Sequence, residues 1–363
     1  LSRTKENGVT IYRIGLPSIN RANLVARLLQ FVVYQVGATW AGWRQRYDVL
    51  LTHTPALEVG LPFLLHAILR KKPAVYSVHD VYPDVGVKLG IFRHKVAIRL
   101  VGGLERLCLQ HSAKVRILSK SFAPTLQRRG VPESKLGLIY DWVDTRLIKP
   151  LPRDNHFARE YNLVDCFVVL YAGNIGFVQG LDSVLQTAQL LRDHSDIRFV
   201  FVGDGSARGS LIEKTTKLNL ANVRFLPYQP RERMPEVFAT ADVSLVSLKQ
   251  GTGFGALPSK IFSILSSGRP VIVSVDPGSD TWNLVECSQA GLCVHPESPI
   301  QLMDALLALR ADGTLRERMG KMGRDYVEKN HSPEKAAEAF ENLLRQAITV
   351  AQHQPVTENS NHY

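Results

Sequence analysis

Between Tyr171 and Gly180 the chain reads Tyr-Ala-Gly-Asn-Ile-Gly-Phe-Val-Gln-Gly, with three glycines in eight positions. An apolar run ends at Tyr171 and a helical pattern begins near Leu181. Glycines at such a turn let backbone N–H groups come close to a phosphate. They also suit an ordinary tight turn. A second segment, Gly203-Asp-Gly205, follows the run from Ile197 to Val202, again at the carboxyl edge of an expected sheet. Asp204 reads first as a turn former. A third, Thr252-Gly-Phe-Gly-Ala-Leu-Pro-Ser-Lys260, leads into a helix predicted over 261–267. Pro258 and Ser259 mark its start, its free N–H groups and positive dipole end favour an anion, and Lys260 adds a full charge. The competing reading is a capped helix with a solvated lysine. Three such loops in one half favour a diphosphate site.

In the first half, His79-Asp80 follows the strand-like run from Ala74 to Val78. A His-Asp pair at a strand's carboxyl end could orient or deprotonate a hydroxyl. The competing reading has Asp80 capping the next segment and His79 packing beneath it. Asp84 and Glu105 are weaker candidates, with Glu105 expected on a helix surface. His53, between Thr52 and Thr54 at another strand end, could line a cleft. The four cysteines, Cys108, Cys166, Cys287 and Cys293, form no CxxC pair and sit beside no histidines at metal-ligand spacing. That points to a reducing compartment without a disulfide framework.

These groups need elements to hold them. Short apolar runs alternate with longer helical patterns, which implies parallel sheets covered by helices, an α/β fold. Strands are predicted over 9–14, 49–52, 74–78 and 114–118, then over 167–172, 197–203, 223–226, 243–247 and 271–274. Ile148-Lys-Pro-Leu-Pro152 breaks the pattern, so one domain is expected over 1–150 and a second over 151–351. The second domain opens with a helical segment over 153–161, and its last helix is free to cross back. Residues 352–363 read as a disordered tail. The first domain is short for a dinucleotide-binding sheet, since 9–14 reads as its third strand with no opening strand, loop and helix before it. The chain, starting at Leu1, is therefore expected to be N-terminally incomplete and by itself inactive or nearly so.

Charge is unevenly spread within a net +11. Residues 1–150 carry 23 Lys and Arg against 9 Asp and Glu, whereas the remainder carries 21 against 24. A basic half with no nucleic-acid motif fits an anionic membrane leaflet better than nucleic acid. The apolar stretch 22–43, flanked by Arg21, Arg44 and Arg46 and interrupted by Arg27, Gln30 and Gln35, reads as a sheet-packed helix with an aromatic edge at a membrane surface. Its competing reading is a buried crossover helix.

Taken in order, the motifs resemble family four of the retaining glycosyltransferases, which has the GT-B fold of two Rossmann-like domains facing a cleft. The carriers are Leu170-Tyr-Ala-Gly-Asn-Ile-Gly with Gln179-Gly-Leu, Phe201-Val-Gly-Asp-Gly, Val223-Arg-Phe-Leu-Pro227, Ala241-Asp242, Leu257-Pro-Ser-Lys260 and Gly268-Arg-Pro-Val-Ile272. His79-Asp80-Val-Tyr-Pro83, Ser119-Lys120-Ser121 and Ile139-Tyr-Asp-Trp-Val-Asp144 join them from the first half. The subgroup it most resembles is the colanic-acid and O-antigen type, with its WcaI-like fucosyltransferases and fucosamine transferases.

The resemblance implies a sugar passed from a nucleoside-diphosphate donor to a hydroxyl, with retention and a front-face mechanism that needs no metal. It places Gly173, Asn174, Gly176, Gln179, Gly203, Asp204, Pro258, Ser259, Lys260 and Ser263 around the donor, and Tyr228 near its base. Asp80 and His79 would serve the catalytic step. The implied acceptor is a lipid-linked saccharide, at the inner face of the plasma membrane. Two departures shift weight onto Lys260. Glutamates common in the broader family fall here at Gly255 and Ser263, and an arginine and a lysine fall at Asn174 and Gln179. Two alternatives remain at this point: a nucleotide-sugar epimerase of the same fold, and a non-catalytic donor-binding remnant. A dehydrogenase is disfavoured, because no GxGxxG opens a βαβ unit.

Overall fold

A computed structural model of the chain describes residues 1–16, 24–82, 84, 94–255 and 257–353. It divides into two units, one of Leu1–Ile139 with the chain from Glu338 onward, the other of Tyr140–Ala337. The division precedes Pro150. Glu338 and the residues after it in the last helix, Pro333–His353, belong with the first unit. That helix includes residues 352 and 353, which were expected in the tail; residues 354–363 lie outside the described residues.

The first unit opens with a correction. Strands β1 (Ser2–Glu6) and β2 (Val9–Arg13) form an antiparallel hairpin of their own, so Val9–Arg13 is not part of the parallel sheet. The turn is Asn7-Gly8, both at positive φ (48° and 85°). That geometry matches the twist of a two-residue hairpin and favours Asn-Gly. The helix Leu24–Trp43 follows; residues 22 and 23, the start of the predicted segment, lie outside the described residues.

The sheet proper is parallel, in the order β3 (Leu50–His53), β4 (Ala74–Val78), β5 (Lys114–Ile117), β6 (Leu136–Leu138). All five residues of β4 are buried, as a continuous apolar run between two covered faces requires. Leu343 and Ala347 of the last helix pack with Val75 and Ile139. Gly137 admits Leu343, since a Cβ there would lie 2.6 Å from the leucine's Cδ1.

The second unit holds six parallel strands: β7 (Phe167–Ala172), β8 (Ile197–Val202), β9 (Val223–Leu226), β10 (Val243–Ser247), β11 (Val271–Ser274) and β12 (Gly291–Val294). Their spatial order is β12-β11-β10-β7-β8-β9. Connections from β7 run one way through β8 and β9, and those from β10 run the other way. The chain therefore reverses between β7 and β10, and the loops leaving these two neighbours diverge. Open α/β sheets hold ligands at such a crevice. Beneath it lies a core that includes Tyr171, Phe199, Phe201, Leu245 and Ile272. The helical segment expected over 153–161 shrinks to His156–Glu160, because Asn155 caps it by accepting from Ala158 N. Arg153 stays outside the helix, its guanidinium on the Asp242 carboxylate at 2.9 Å.

Candidate active site

In the second unit, the first and third sequence loops meet at the reversal point. Helix Lys260–Ser266 begins one residue earlier than predicted, and Ser259 makes no side-chain cap. Lys260 turns back over β7. Its Nζ lies 3.6 Å from the centroid of the Tyr171 ring. It also adjoins Gly173, where a Cβ would stand 3.5 Å from it. The side chain as a whole is half-buried, but the ammonium at its tip is buried and has no hydrogen-bond partner among the described residues. Burial pushes its pKa down to about 7. The competing reading of a solvated lysine is thus corrected.

The loop after β7 is held from inside. Tyr171 donates its hydroxyl to Asn174 O at 2.7 Å, and Gln179 Oε1 accepts from Gly176 N at 3.0 Å. Gly173 and Asn174 remain exposed. The second loop packs against the first. Gly203, at φ 144°, packs its backbone on the first loop: a Cβ there would fall 2.1 Å from Gly173 O. Asp204 O accepts from Ile175 N at 2.8 Å, and the Asp204 carboxylate accepts from Gly205 N. These glycines let two loops touch, and the Asp204 carboxylate closes the turn. Pro258 O accepts from Ile261 N, and Ser263 sits one turn beyond Lys260 on the same helix. Tyr228 follows the edge strand β9 and is 75% exposed.

One residue escaped sequence reasoning. Asp276, buried after β11, accepts from Gly251 N and Gly253 N, each at 2.8 Å. Lys249 N also donates to Val178 O at 2.8 Å. The loop leading to Lys260 is thereby tied both to the next strand and to the loop after β7. An acid two residues past a strand end was the available signal.

In the first unit, Thr54 Oγ1 accepts from His79 N at 3.0 Å and from Asp80 N at 3.3 Å, fixing the turn after β4. The His53 and His79 rings meet edge-on at 5.6 Å. The guanidinium of Arg116, on β5, lies 3.4 Å from His79 Nε2 and also donates to Ser77 Oγ and Ile139 O. Burial raises the Asp80 pKa above the usual carboxylate range. Glu105 is corrected: it is 3% exposed, not on a helix surface. Its two oxygens accept from Ala56 N at 2.7 Å and Tyr76 OH at 2.8 Å, and burial raises its pKa. Asp84 pairs with Arg129 at 2.7 Å. Pro83 lies outside the described residues.

Two units, each built on a parallel α/β sheet, define a class, the GT-B architecture. Residues 153–326 match the family model of glycosyl transferases group 1, and residues 2–142 match that of the glycosyl transferase 4-like domain. The chain belongs to these group 1 glycosyltransferases. It is 26% identical to the colanic acid biosynthesis glycosyl transferase WcaI of Escherichia coli K12, over 94% of this chain and 86% of that protein. It is 24% identical to glycosyltransferase WbjE of Pseudomonas aeruginosa, over 92% and 84%. Among solved structures, Anabaena HepE in complex with UDP-glucose superposes with a TM-score of 0.69 at 15% identity, covering 86% of this chain and 81% of that one.

Proposed function

We propose that the chain transfers a sugar, with retention, from a nucleoside-diphosphate donor to a hydroxyl of a lipid-linked saccharide in cell-surface polysaccharide synthesis. The observation that carries this reading is the buried Lys260 ammonium at the sheet's reversal point, which has no hydrogen-bond partner among the described residues. Leaving a cation there unpaired is costly, and an incoming anion offsets the cost. A diphosphate leaving group gains negative charge as its bond to the sugar breaks. A cation already fixed at that place stabilises the charge without reorganisation.

Lys260 is assigned to the leaving diphosphate, beside the exposed turn at Gly173 and Asn174. Gln179 and Ser263 are assigned to the donor's hydroxyls, and Tyr228 to its base. On this reading the charge needs no metal. The departing phosphate oxygen takes the acceptor proton on the face that the leaving group vacates, which retains configuration. Asp80 and His79 orient the acceptor hydroxyl. Support for a polysaccharide product comes from WcaI, whose name places it in colanic acid biosynthesis, and HepE, holding UDP-glucose, makes uridine the first base to try.

The test is a thermal-shift series with uridine and guanosine diphosphate sugars. A donor that binds the folded state at a hundredfold above its Kd stabilises it by about 2.7 kcal/mol. At least one donor should raise the melting temperature. If none does, with or without chelator, the reading fails.

A further inference from the structure

The helix Leu24–Trp43 of the first unit carries no charged residue between Gln30 and Trp43. Leu29, Val32, Val36, Trp40 and Trp43 recur along it at three- to four-residue spacing and are 45–64% exposed. Such spacing puts them on one outward stripe. One flank of the helix packs on the neighbouring helix Ala56–Leu64: Gln35 donates to Leu57 O and accepts from Leu61 N. Leu61 widens the stripe, and a groove lined by Val36, Trp40, Leu61 and Leu65 runs along it. A soluble enzyme gains nothing from so long an apolar face in water.

One end of the stripe is ringed with cations. The Arg44 guanidinium lies 3.6 Å from the centroid of the Trp40 ring. Arg70 stands over Trp43 at 5.4 Å and Tyr47 at 5.1 Å, and Lys72 over Tyr47 at 5.7 Å. Arg46 and Lys71 are exposed beside them. Between Gln30 and Pro73 only Asp48 and Glu58 oppose these five cations. Among the described residues no helix is long and apolar enough to cross a membrane.

We propose that this face seats the protein on an anionic lipid bilayer, with Trp40 and the aliphatic stripe in the interface and Arg44, Arg46 and Lys71 on lipid phosphates. Amphipathic helices with an aromatic and aliphatic face and basic flanks bind in this way, and tryptophan settles at headgroup level. Charge complementarity selects this occupant. A second copy docked with its helix parallel would set the same cations against one another, and one docked antiparallel would give them no anionic partner, whereas an anionic leaflet attracts each by about 1 kcal/mol. The inference stands apart from the donor site.

The test is co-sedimentation of the 363-residue protein with vesicles of phosphatidylcholine mixed with phosphatidylglycerol, against phosphatidylcholine alone. Binding should require the anionic lipid, weaken with salt and shift tryptophan emission to the blue. R44E/K71E, at exposed positions, should lower partitioning by about tenfold or more. V36S/W40S should abolish the emission shift, and Lys260→Met should bind vesicles as the parent does. Equal binding to both vesicle types, or unchanged binding by R44E/K71E, overturns the proposal. So does a dimer in solution that V36S/W40S dissociates.

Discussion

The ammonium of Lys260 lies 3.6 Å from the centroid of the Tyr171 ring, at the end of the strand where the second sheet reverses. The ring's negative face partly offsets the desolvation of the charge, by about 0.5–2 kcal/mol, yet burial still pushes the pKa to about 7. The unfolded chain, with lysine near its ordinary 10.5, therefore binds more protons than the folded one between those values. The stability that Lys260 withholds is restored above the unfolded pKa and lost as pH falls through about 7. Lys260→Met should accordingly raise the melting temperature at pH below 7, with the gain shrinking toward zero above pH 10.5. Calorimetric melts across that range check it.

Gly203 and Gly173 touch backbone to backbone. Gly203→Ala would drive a methyl to 2.1 Å from Gly173 O, at a φ of 144° that L-residues rarely adopt. The expected cost is about 2 kcal/mol or more, read by denaturant unfolding. Donor affinity should fall as well, because the displaced loop is the one beside Lys260.

Asp276 holds two amides of the loop that carries Lys260. Asp276→Ala should let Gly253 N exchange with solvent faster, while amides of β7 and β8 keep their protection. Hydrogen exchange by mass spectrometry separates this local loosening from global unfolding. Donor affinity should drop by about tenfold, since a loosened lysine must be ordered on binding.

Asp80 has its pKa raised by burial. The folded state thus holds its proton more tightly than the unfolded one, and the stability this gives is present below the unfolded pKa and lost as pH rises through the raised value. Asp80→Asn should therefore be more stable than the parent at neutral pH and level with it below pH 3.8. A residue whose neutral replacement stabilises the fold is retained for another task. Unchanged affinity for the donor would keep that task on the acceptor side.

Much of the second unit was legible because its strands are continuous apolar runs. Phe167–Ala172, Val223–Leu226, Val243–Ser247 and Val271–Ser274 fall where periodicity and β-branching put them. What escaped has physical reasons. Strand β6 is three residues with a glycine in the middle, and β12 opens with one, so neither carries a strong propensity. The β1–β2 hairpin is polar and exposed; its signal was Asn7-Gly8, a turn rather than an apolar run. Glu105 looked like a surface acid because its partners, Ala56 N and Tyr76 OH, lie far away in the chain. Asp276 was hidden for the same reason. Lys260 was visible as a lysine near a helix start, but its burial depends on Tyr171, supplied by a strand many residues earlier.

The central claim is that the Lys260 ammonium receives a diphosphate. Titration calorimetry of a nucleotide sugar, whose diphosphate is already fully ionised and does not titrate near neutrality, tests it in the parent and in Lys260→Met. Charged hydrogen bonds of this kind are worth about 1.5–3 kcal/mol. The account predicts that the variant, folded and at least as stable at pH 6.5, loses tenfold or more in affinity, each tenfold being about 1.4 kcal/mol. It also predicts proton uptake on binding to the parent at pH 8, above the free lysine's pKa of about 7. Equal affinities in the two proteins, with no proton taken up by the parent, would contradict it.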